Sequence, residues 1–318
     1  MLPRPSPLVP SAARLCLLAA LAAVPAAAPR IHAQGNPAWK QTVLSWRAQR
    51  EHELSAPDGW LTLIGLEWLK TGVNSIGSAP DCSVRLPAQA PPHLGKITIL
   101  DSGSNPVQLL APSGGFPAGV TVDGAPAREG PIIVSDTRQS AIAWNSLSLV
   151  VLDRGGRYAL RIKDADSPTR KGYSGLHWYD PDPRYRVTAE WVPYAEPVTQ
   201  KIPTVIGTTL NLPSPGYVTF TLNGKPLRLH PVLEAGEKDK LFFILRDQTS
   251  ESTTYGAGRF LHTGLPTHGL DKPGYLVLDF NELYNPPCAY TPYATCPLPP
   301  EQNRLAIAIP AGEQRYLH

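Results

Sequence analysis

Apolar residues in this chain occur mostly in short runs, which clusters of glycine, proline, aspartate and serine separate. Between residues 60 and 165, runs of four or five apolar or alternating residues recur at intervals near ten residues. Short runs at regular spacing, with turn residues between them, are typical of β-sandwiches. The pattern therefore predicts a mainly β fold. Asp123-Gly124 and Asn223-Gly224 predict tight hairpins within it.

One segment near the beginning has helical periodicity instead. Large side chains recur every three or four positions at Trp39, Val43, Trp46, Arg50 and Leu54. Asn36 is a good cap for such a helix, and Pro37 suits its first turn. We therefore expect one amphipathic helix over residues 36–54, packed across a sheet.

A polar, proline-punctuated bridge over residues 166–186 divides the remaining pattern. We place a domain boundary there. Residues 34–165 then hold the helix and a β-sandwich, and residues 166–318 hold a second β-sandwich or barrel. The second unit contains an irregular stretch, residues 280–303, with six prolines. A compact domain rarely keeps so long a loop unless the loop is functional.

The first 33 residues have the pattern of a secretory signal peptide. Arg4 and Arg14 precede an apolar run of ten residues, Leu15 to Val24, which is half of what spans a bilayer. A cut after Ala33 would release a chain exported to the periplasm or the extracellular space, with no stable membrane insertion. The alternative is an uncleaved membrane anchor.

Composition and charge exclude several classes of protein. The chain has 36 prolines among 318 residues, too many for a bundle of long helices. Its 42% hydrophobic content, with 7 Trp and 12 Tyr, is too high for a disordered chain. Removal of residues 1–33 takes away three arginines and leaves 26 basic and 26 acidic side chains. A balanced charge without a basic stripe excludes nucleic-acid binding.

Three cysteines remain after cleavage. Cys288 and Cys296 are close in sequence beside Pro287 and Pro297, and an oxidising compartment favours a disulfide between them. Cys82 is then expected to be a buried free thiol. A cysteine pair with seven intervening residues is not a zinc signature, since those mostly use two to four. The sequence therefore predicts no metal site and no cofactor.

Two stretches carry a family resemblance. The first contains Trp46-Arg-x-x-Arg50 and Gly65-Leu-x-Trp-Leu69. The second runs from Arg246-Asp247 through Arg259-Phe-Leu to Tyr284-Asn-Pro-Pro-Cys288 and Asn303-Arg-Leu. Together they resemble the family catalogued as domain of unknown function 1684. That family name carries no established activity, cofactor or substrate, so the resemblance implies kinship and no reaction.

The first unit also resembles the forkhead-associated β-sandwich. The similar stretches are Asn74-Ser-Ile-Gly77-Ser78, Cys82-Ser-Val-Arg-Leu86-Pro87 and Pro92-His93-Leu-Gly95. The resemblance implies a sandwich that reads phosphothreonine through an Arg after the first Gly and a Ser three residues before the His. Ser78 and Ala90 stand at those positions here. We therefore expect the sandwich without the phosphopeptide, and a structural role for His93 in a turn.

Two polar constellations in the second unit are candidates for a ligand site. One follows a very apolar strand, and the other lies on the long loop. Guanidinium forks suit carboxylate, phosphate or sulfate, and side-chain amides both donate and accept. The candidate ligand-binding residues are Arg246, Asp247, Tyr255, Arg259, Asp279, Asn281 and Asn285. The structural alternative is an Arg–Asp pair that pins a hairpin, with Asx side chains capping turns.

Three functional hypotheses follow. The leading one is an exported protein that binds a small polar or anionic ligand in a pocket of the second unit. The second is a hydrolase that uses the same pocket, through the acidic pair Asp247 and Asp279 or through Cys288 with His262 or His268. The third is a non-catalytic scaffold. The sequence does not decide whether the protein is an enzyme.

Overall fold

The computed structural model describes residues 37–101, 106–135 and 137–317. The predicted signal peptide lies outside the described residues. Among the helices of the described part, none is long and apolar enough to cross a membrane. The fold is mainly β, with one long helix near its beginning, as the pattern predicted.

The long helix, α1, spans Pro37–Ser55, close to the predicted bounds. Its buried residues are Val43, Arg47 and Leu54. Leu54 packs in a small core with Leu61 and side chains of the long loop. The helix therefore lies against loops and 3₁₀ turns of the second unit, where two of its arginines reach backbone carbonyls. A second helix, α2 (Pro168–Lys171), is a single turn capped by Ser167.

Short strands fill residues 63–164, as the regular spacing of apolar runs predicted. In chain order they are β1 (Leu63–Trp68), β2 (Gly72–Gly77), β3 (Val84–Arg85), β4 (Gly95–Ile99), β5 (Val107–Leu110), β6 (Thr121–Val122), β7 (Ala125–Pro126), β8 (Gly130–Pro131), β9 (Ala141–Trp144), β10 (Leu147–Asp153) and β11 (Tyr158–Asp164).

These strands form two sheets that enclose one core. One sheet has the order β1-β11-β10-β9-β6-β7, and the other has the order β3-β2-β4-β5-β8. Ile97 and Leu109 from the second sheet pack with Leu149 and Leu160 from the first. Every second residue of a strand faces this core, so the alternation in the sequence becomes one buried and one outer face. The likeness to the forkhead-associated sandwich in particular stays a prediction.

The second unit is built on longer strands. They are β12 (Arg186–Pro203), β13 (Thr209–Leu222), β14 (Lys225–Leu229), β15 (Lys240–Leu245), β16 (Arg259–Gly264) and β17 (Gly274–Asp279). A four-stranded sheet has the order β14-β13-β12-β17, and β15 pairs with β16. Both faces of β15 are buried, because Phe243 lies in one core and Phe242 in another. This explains why its sequence is a continuous apolar run. The domain boundary itself stays a prediction.

In the described part of the chain, irregular backbone joins these sheets at five further 3₁₀ turns besides the one at Trp60–Thr62. They are Pro183–Tyr185, Gln248–Glu251, Phe280–Glu282, Pro287–Ala289 and Glu301–Asn303. Three of them lie in the stretch that the sequence pattern left without regular structure.

The predicted hairpins have the expected backbone. Asn223 and Gly224 have φ of 52° and 75°, and Asp123 and Gly124 have 50° and 80°. Two successive positive φ angles are what a two-residue hairpin loop requires. Register follows from them, since Leu222 pairs with Lys225 and Val122 with Ala125.

The alternating run at residues 304–309, which favours a strand, forms no sheet in the structure. It belongs to a C-terminal segment, residues 305–313, whose alternate side chains Leu305, Ile307 and Ile309 are buried. Its backbone bonds are few: the N–H of Leu305 donates to the Arg246 carbonyl at 2.7 Å, and the Ile307 carbonyl accepts from Gln248 at 2.8 Å. The N–H of Ile309 donates to a side chain instead, so the ladder ends there.

Gly77, at the end of β2, lies against the backbone of Pro92, in the loop that precedes β4. A Cβ at this position would overlap the Pro92 carbonyl. We expect Gly77→Ala to lower the free energy of unfolding by about 1–3 kcal/mol, because neither backbone can yield. Chemical denaturation followed by tryptophan fluorescence measures the loss.

Gly264 is the matched control, since a Cβ there meets nothing within 4 Å. Gly264→Ala should leave stability unchanged or raise it by up to ~1 kcal/mol. Equal losses in the two variants would contradict the close approach at Gly77.

Candidate functional site

Arg259 and Asp247 form a buried ion pair at the centre of the second unit. The Arg259 Nη2 donates to the Asp247 Oδ2 at 2.7 Å, and the two side chains are 0% and 1% exposed. The other Nη donors reach the C-terminal segment: Nη2 donates to the Ile309 carbonyl at 2.9 Å, and Nη1 to the carbonyls of Ala311 and Glu313. Protein acceptors therefore occupy both Nη groups of Arg259, whereas its buried Nε has no hydrogen-bond partner.

The partner carboxylate is equally occupied. The Asp247 Oδ1 accepts from the Thr249 N–H at 2.9 Å, the Thr249 hydroxyl at 2.6 Å and the Ile309 N–H at 3.1 Å. Asp247 thus caps the 3₁₀ turn that begins after it and also holds the C-terminal segment. The contacts are those of the structural alternative, in which the pair joins loops.

Asp279 and Asn281 form a second group, at the end of β17. The Asp279 Oδ2 accepts from the Trp39 indole at 2.6 Å and lies 3.5 Å from the Arg186 Nε. The Asn281 amide donates to the Asp279 Oδ1 at 2.9 Å and to the Asp182 carbonyl at 2.9 Å. Both groups are buried, so they tie α1 and the polar bridge to the long loop.

Asn285 belongs to a third group, around Glu313. The Asn285 Nδ2 donates to the Glu313 Oε1 at 2.7 Å, and its backbone N–H donates to the Oε2 at 2.9 Å. The Tyr290 hydroxyl also donates to Glu313. Burial raises the pKa of Glu313 to about 7, although Arg50 and these hydrogen bonds oppose the shift. No pattern in the sequence marks Glu313, which lies in a short polar run near the chain's end.

The two family stretches meet through the arginines of α1. The Arg50 Nη2 donates to the Asn285 carbonyl at 2.9 Å, and its guanidinium lies 4.1 Å from the centre of the Tyr284 ring. The Arg47 Nη2 donates to the Asn281 carbonyl at 3.0 Å. The Trp46-Arg-x-x-Arg50 motif therefore binds the loop on which the second stretch lies.

Tyr284 also begins a chain of side-chain hydrogen bonds. Its hydroxyl lies 3.0 Å from the His262 Nδ1, and the His262 Nε2 lies 2.8 Å from the Glu234 Oε2. A carboxylate, an imidazole and a hydroxyl in this order can relay a proton. Burial raises the pKa of the Tyr284 phenol well above its usual range, however, so the phenol keeps its proton.

The remaining predicted residues lie nearby but separately. The Tyr255 hydroxyl donates to the Cys288 carbonyl at 3.1 Å, and burial raises the pKa of Tyr255 to about 12. Arg246 is half-buried, and its backbone pairs with Arg304, which directly precedes the C-terminal segment. The predicted residues thus form several internally bonded groups, and their binding of a ligand stays a prediction.

Cys288 and Cys296 are free thiols in the structure. The N–H of each residue donates to the sulfur of the other, at 3.2 and 3.4 Å. The predicted disulfide is therefore not shown and stays a prediction. Neither candidate histidine is hydrogen-bonded to the Cys288 thiol: His262 contacts Tyr284 and Glu234, and the His268 Nδ1 lies 2.9 Å from the Pro273 carbonyl.

A cationic cluster of Arg154, Arg161 and Lys163 lies on the outer face of the first sandwich. The Arg161 guanidinium is 4.9 Å from the centre of the Trp60 ring, and the Lys163 Nζ is 5.8 Å from it. Burial, and then the Arg154 charge, lower the pKa of Arg161 to about 10. Burial and the Arg161 charge likewise lower the pKa of Lys163.

The members of the cationic cluster differ in their partners. The Lys163 Nζ donates to the Asp58 carbonyl at 2.5 Å, and the Arg154 Nε to the Thr295 hydroxyl at 3.0 Å. Among the described residues, the Arg161 guanidinium has no hydrogen-bond acceptor and no carboxylate within 4.0 Å, and its Nε is buried. The side chain as a whole is half-buried, so part of it still meets solvent.

The indole of Trp60 also borders a groove of about 400 Å³ at the end of α1. The groove is lined by Arg50, His52, Glu53, Leu54, Ala56, Asp58, Gly59 and Trp60.

The sequence did carry a signal for the cationic cluster, because Arg161 and Lys163 alternate with the buried Leu160 and Ile162 on β11. The alternation predicts only that both cations face away from the core of the sandwich. It does not predict which residues they contact.

The family described as "Protein of unknown function (DUF1684)" matches residues 171–314. The chain belongs to this family. The matched part of the DUF1684 protein contains all seven predicted ligand residues, whereas the cationic cluster lies before it.

One similar solved structure is a solution NMR structure of an uncharacterized protein from gene locus rrnAC0354 of Haloarcula marismortui. It is 34% identical over 46% of this chain and 80% of that chain, with a TM-score of 0.40. No curated protein matches the chain.

The buried pair predicts a large stability effect. Asp247→Ala leaves the Arg259 charge without its counter-ion in a place that water does not reach. We expect the free energy of unfolding to fall by about 3–5 kcal/mol. The exposed pair of Lys240 and Glu237, 3.6 Å apart, supplies the control: Glu237→Ala should cost no more than ~1 kcal/mol. Urea denaturation of both variants measures the difference, and similar losses would contradict the burial of the central pair.

Glu313 predicts a pH dependence of a definite sign. Its pKa rises from the ordinary 4.5 to about 7 on folding, so the folded chain holds a proton that the unfolded chain loses within this range. Folding stability from this group is therefore complete below pH 4.5 and is lost as pH rises to about 7, by about 3 kcal/mol in all.

Glu313→Gln should remove this component of the pH dependence, even though the change lowers overall stability. Glu282, whose pKa burial also raises to about 7, is unchanged in both proteins. The exposed Glu301→Gln is the control and should keep the wild-type slope. Urea denaturation at a series of pH values measures it, and an unaltered slope in Glu313→Gln would refute the assignment.

Proposed function

We propose that this DUF1684 protein is exported and binds a small anionic ligand at the cationic cluster beside Trp60. The observation that carries the proposal is Arg161, a half-buried guanidinium whose Nε is buried and for which the described residues provide no hydrogen-bond acceptor and no counter-ion. Buried charges are costly and are normally paired within the protein. An unpaired one, next to two further cations, suggests that the partner comes from outside.

Electrostatics favours an anion at this place. The charges of Arg154 and Arg161 lower the pKa values of their neighbours, so the three cations repel one another. A carboxylate, phosphate or sulfate would offset that repulsion and would accept from the free donors of Arg161, which suit such groups well. The Trp60 indole offers a flat apolar surface next to the charge. The ligand class that fits is a small anion with a flat or apolar part.

The buried groups around Arg259 and Asn285 support the proposal indirectly. Their polar atoms are largely satisfied by protein partners, so a ligand there would have to displace existing hydrogen bonds. The hydrolase alternative finds little support in the same contacts, because Asp247 and Asp279 each pair with a different arginine. A non-catalytic scaffold is the remaining alternative.

Arg161→Met tests the proposal through two effects of opposite sign. Without ligand, the variant should melt at a higher temperature, because the change removes an unpaired, partly buried charge. With phosphate, sulfate or benzoate, the wild-type melting temperature should rise and the variant's should not. Titration calorimetry should give an affinity about 10–100-fold weaker in the variant, which is the worth of a charged hydrogen bond.

The matched control is Arg157→Met. The Arg157 guanidinium also lies over an indole, 4.1 Å from the centre of the Trp68 ring, but the side chain is exposed. This variant should keep wild-type anion binding. Chloride at equal ionic strength corrects for screening. A lower melting temperature for ligand-free Arg161→Met, or no response of the wild type to any anion, would favour the scaffold.

A further inference from the structure

We propose that Asp81, Cys82 and His93 bind a zinc ion at the loop end of the first sandwich. Their ligand atoms, one carboxylate oxygen, one sulfur and one ring nitrogen, all lie within 4.8 Å of one another. The Cys82 Sγ is 3.6 Å from the His93 Nδ1, and the Asp81 Oδ1 is 3.9 Å from the His93 Nε2. This site is independent of the proposed anion site.

The sulfur–nitrogen distance already suits a shared metal ion. Zinc binds sulfur at about 2.3 Å and imidazole nitrogen at about 2.0–2.1 Å, usually in tetrahedral geometry. Two such ligands lie roughly 3.5 Å apart, which follows from those bond lengths and the tetrahedral angle. The observed 3.6 Å needs almost no movement of Cys82 or His93. Asp81 is exposed, so its carboxylate can turn toward the ion without breaking a buried contact.

The two loops that carry the ligands are held together by backbone contacts. The N–H groups of Ser78 and Ala79 donate to the carbonyls of Pro91 and Pro92, both at 3.0 Å. Gly77 allows this approach, because any Cβ there would overlap Pro92. The ligands are thus preorganised, which lowers the entropic cost of binding.

The donor set selects among metals. Thiolate and imidazole are ligands of zinc and other late divalent ions, whereas calcium and magnesium prefer oxygen alone. Three protein ligands leave a fourth position for water or a substrate, as in catalytic zinc sites. No sequence spacing reveals the set, because Asp81 and Cys82 are adjacent while His93 comes from the next loop.

Equilibrium dialysis of the full chain against buffered zinc, followed by metal analysis, tests the proposal. We expect wild-type protein to hold one zinc ion that depends on Cys82. Cys82→Ser and His93→Gln should each weaken binding by more than the ~10–100-fold that loss of an outer-shell partner costs. With cobalt in place of zinc, a thiolate charge-transfer band should appear in the wild type and be absent from Cys82→Ser.

Cys288→Ser is the matched control, because it removes a thiol of the other unit and should leave the ion and the cobalt band unchanged. Far-UV circular dichroism verifies that each variant is folded. Two results would overturn the proposal: wild-type protein that retains no zinc at micromolar concentration, or zinc whose stoichiometry and affinity are the same in Cys82→Ser.

Discussion

The ion pair of Arg259 and Asp247 is the contact on which the second unit depends. Two charges at 0% and 1% exposure carry a large desolvation cost, which hydrogen bonds to both Nη groups and to both carboxylate oxygens offset. Here the acceptors and donors come from the C-terminal segment, through the carbonyls of Ile309 and Ala311 and the Ile309 N–H. The pair therefore fixes the path of that segment. Glu313 at its end then meets Asn285, whose carbonyl holds Arg50 of α1.

Local pattern was enough to predict most of the fold. The helix ends within one residue of its predicted bounds, and the two Asx-Gly turns have the positive φ angles that hairpins need. These features depend on neighbours in the chain, which a sequence displays. The C-terminal segment departs from its predicted strand because the partner of Ile309 is the side chain of Asp247, 62 positions away. Alternating apolar residues predict which side chains are buried. They do not predict which groups form hydrogen bonds with the backbone.

The candidate site was harder to predict, because the same residue types serve two purposes. Arg259 and Arg161 are both arginines on strands, and Arg259 is buried while Arg161 is half-buried. Arg259 donates to a carboxylate and three backbone carbonyls. Arg161 instead lies beside an indole and two further cations. The difference arises from partners distant in sequence. Cys82 and His93 show the same limit, since their spacing matches no metal motif and only the folded loops bring them to 3.6 Å.

This contrast indicates how stability and function divide within the molecule. Where buried polar groups hydrogen-bond one another, as around Asp247, substitution leaves an unpaired buried charge and lowers the free energy of unfolding. Where a charged group has no partner in the protein, as at Arg161, it lowers the free energy of unfolding unless a ligand pairs with it. Substitution of such a group should therefore stabilise the ligand-free protein. The sign of a variant's effect on stability therefore distinguishes the two cases for any buried polar residue of this chain. Sequence motifs alone cannot make that distinction, because they give residue types and do not show which groups pair in the folded chain.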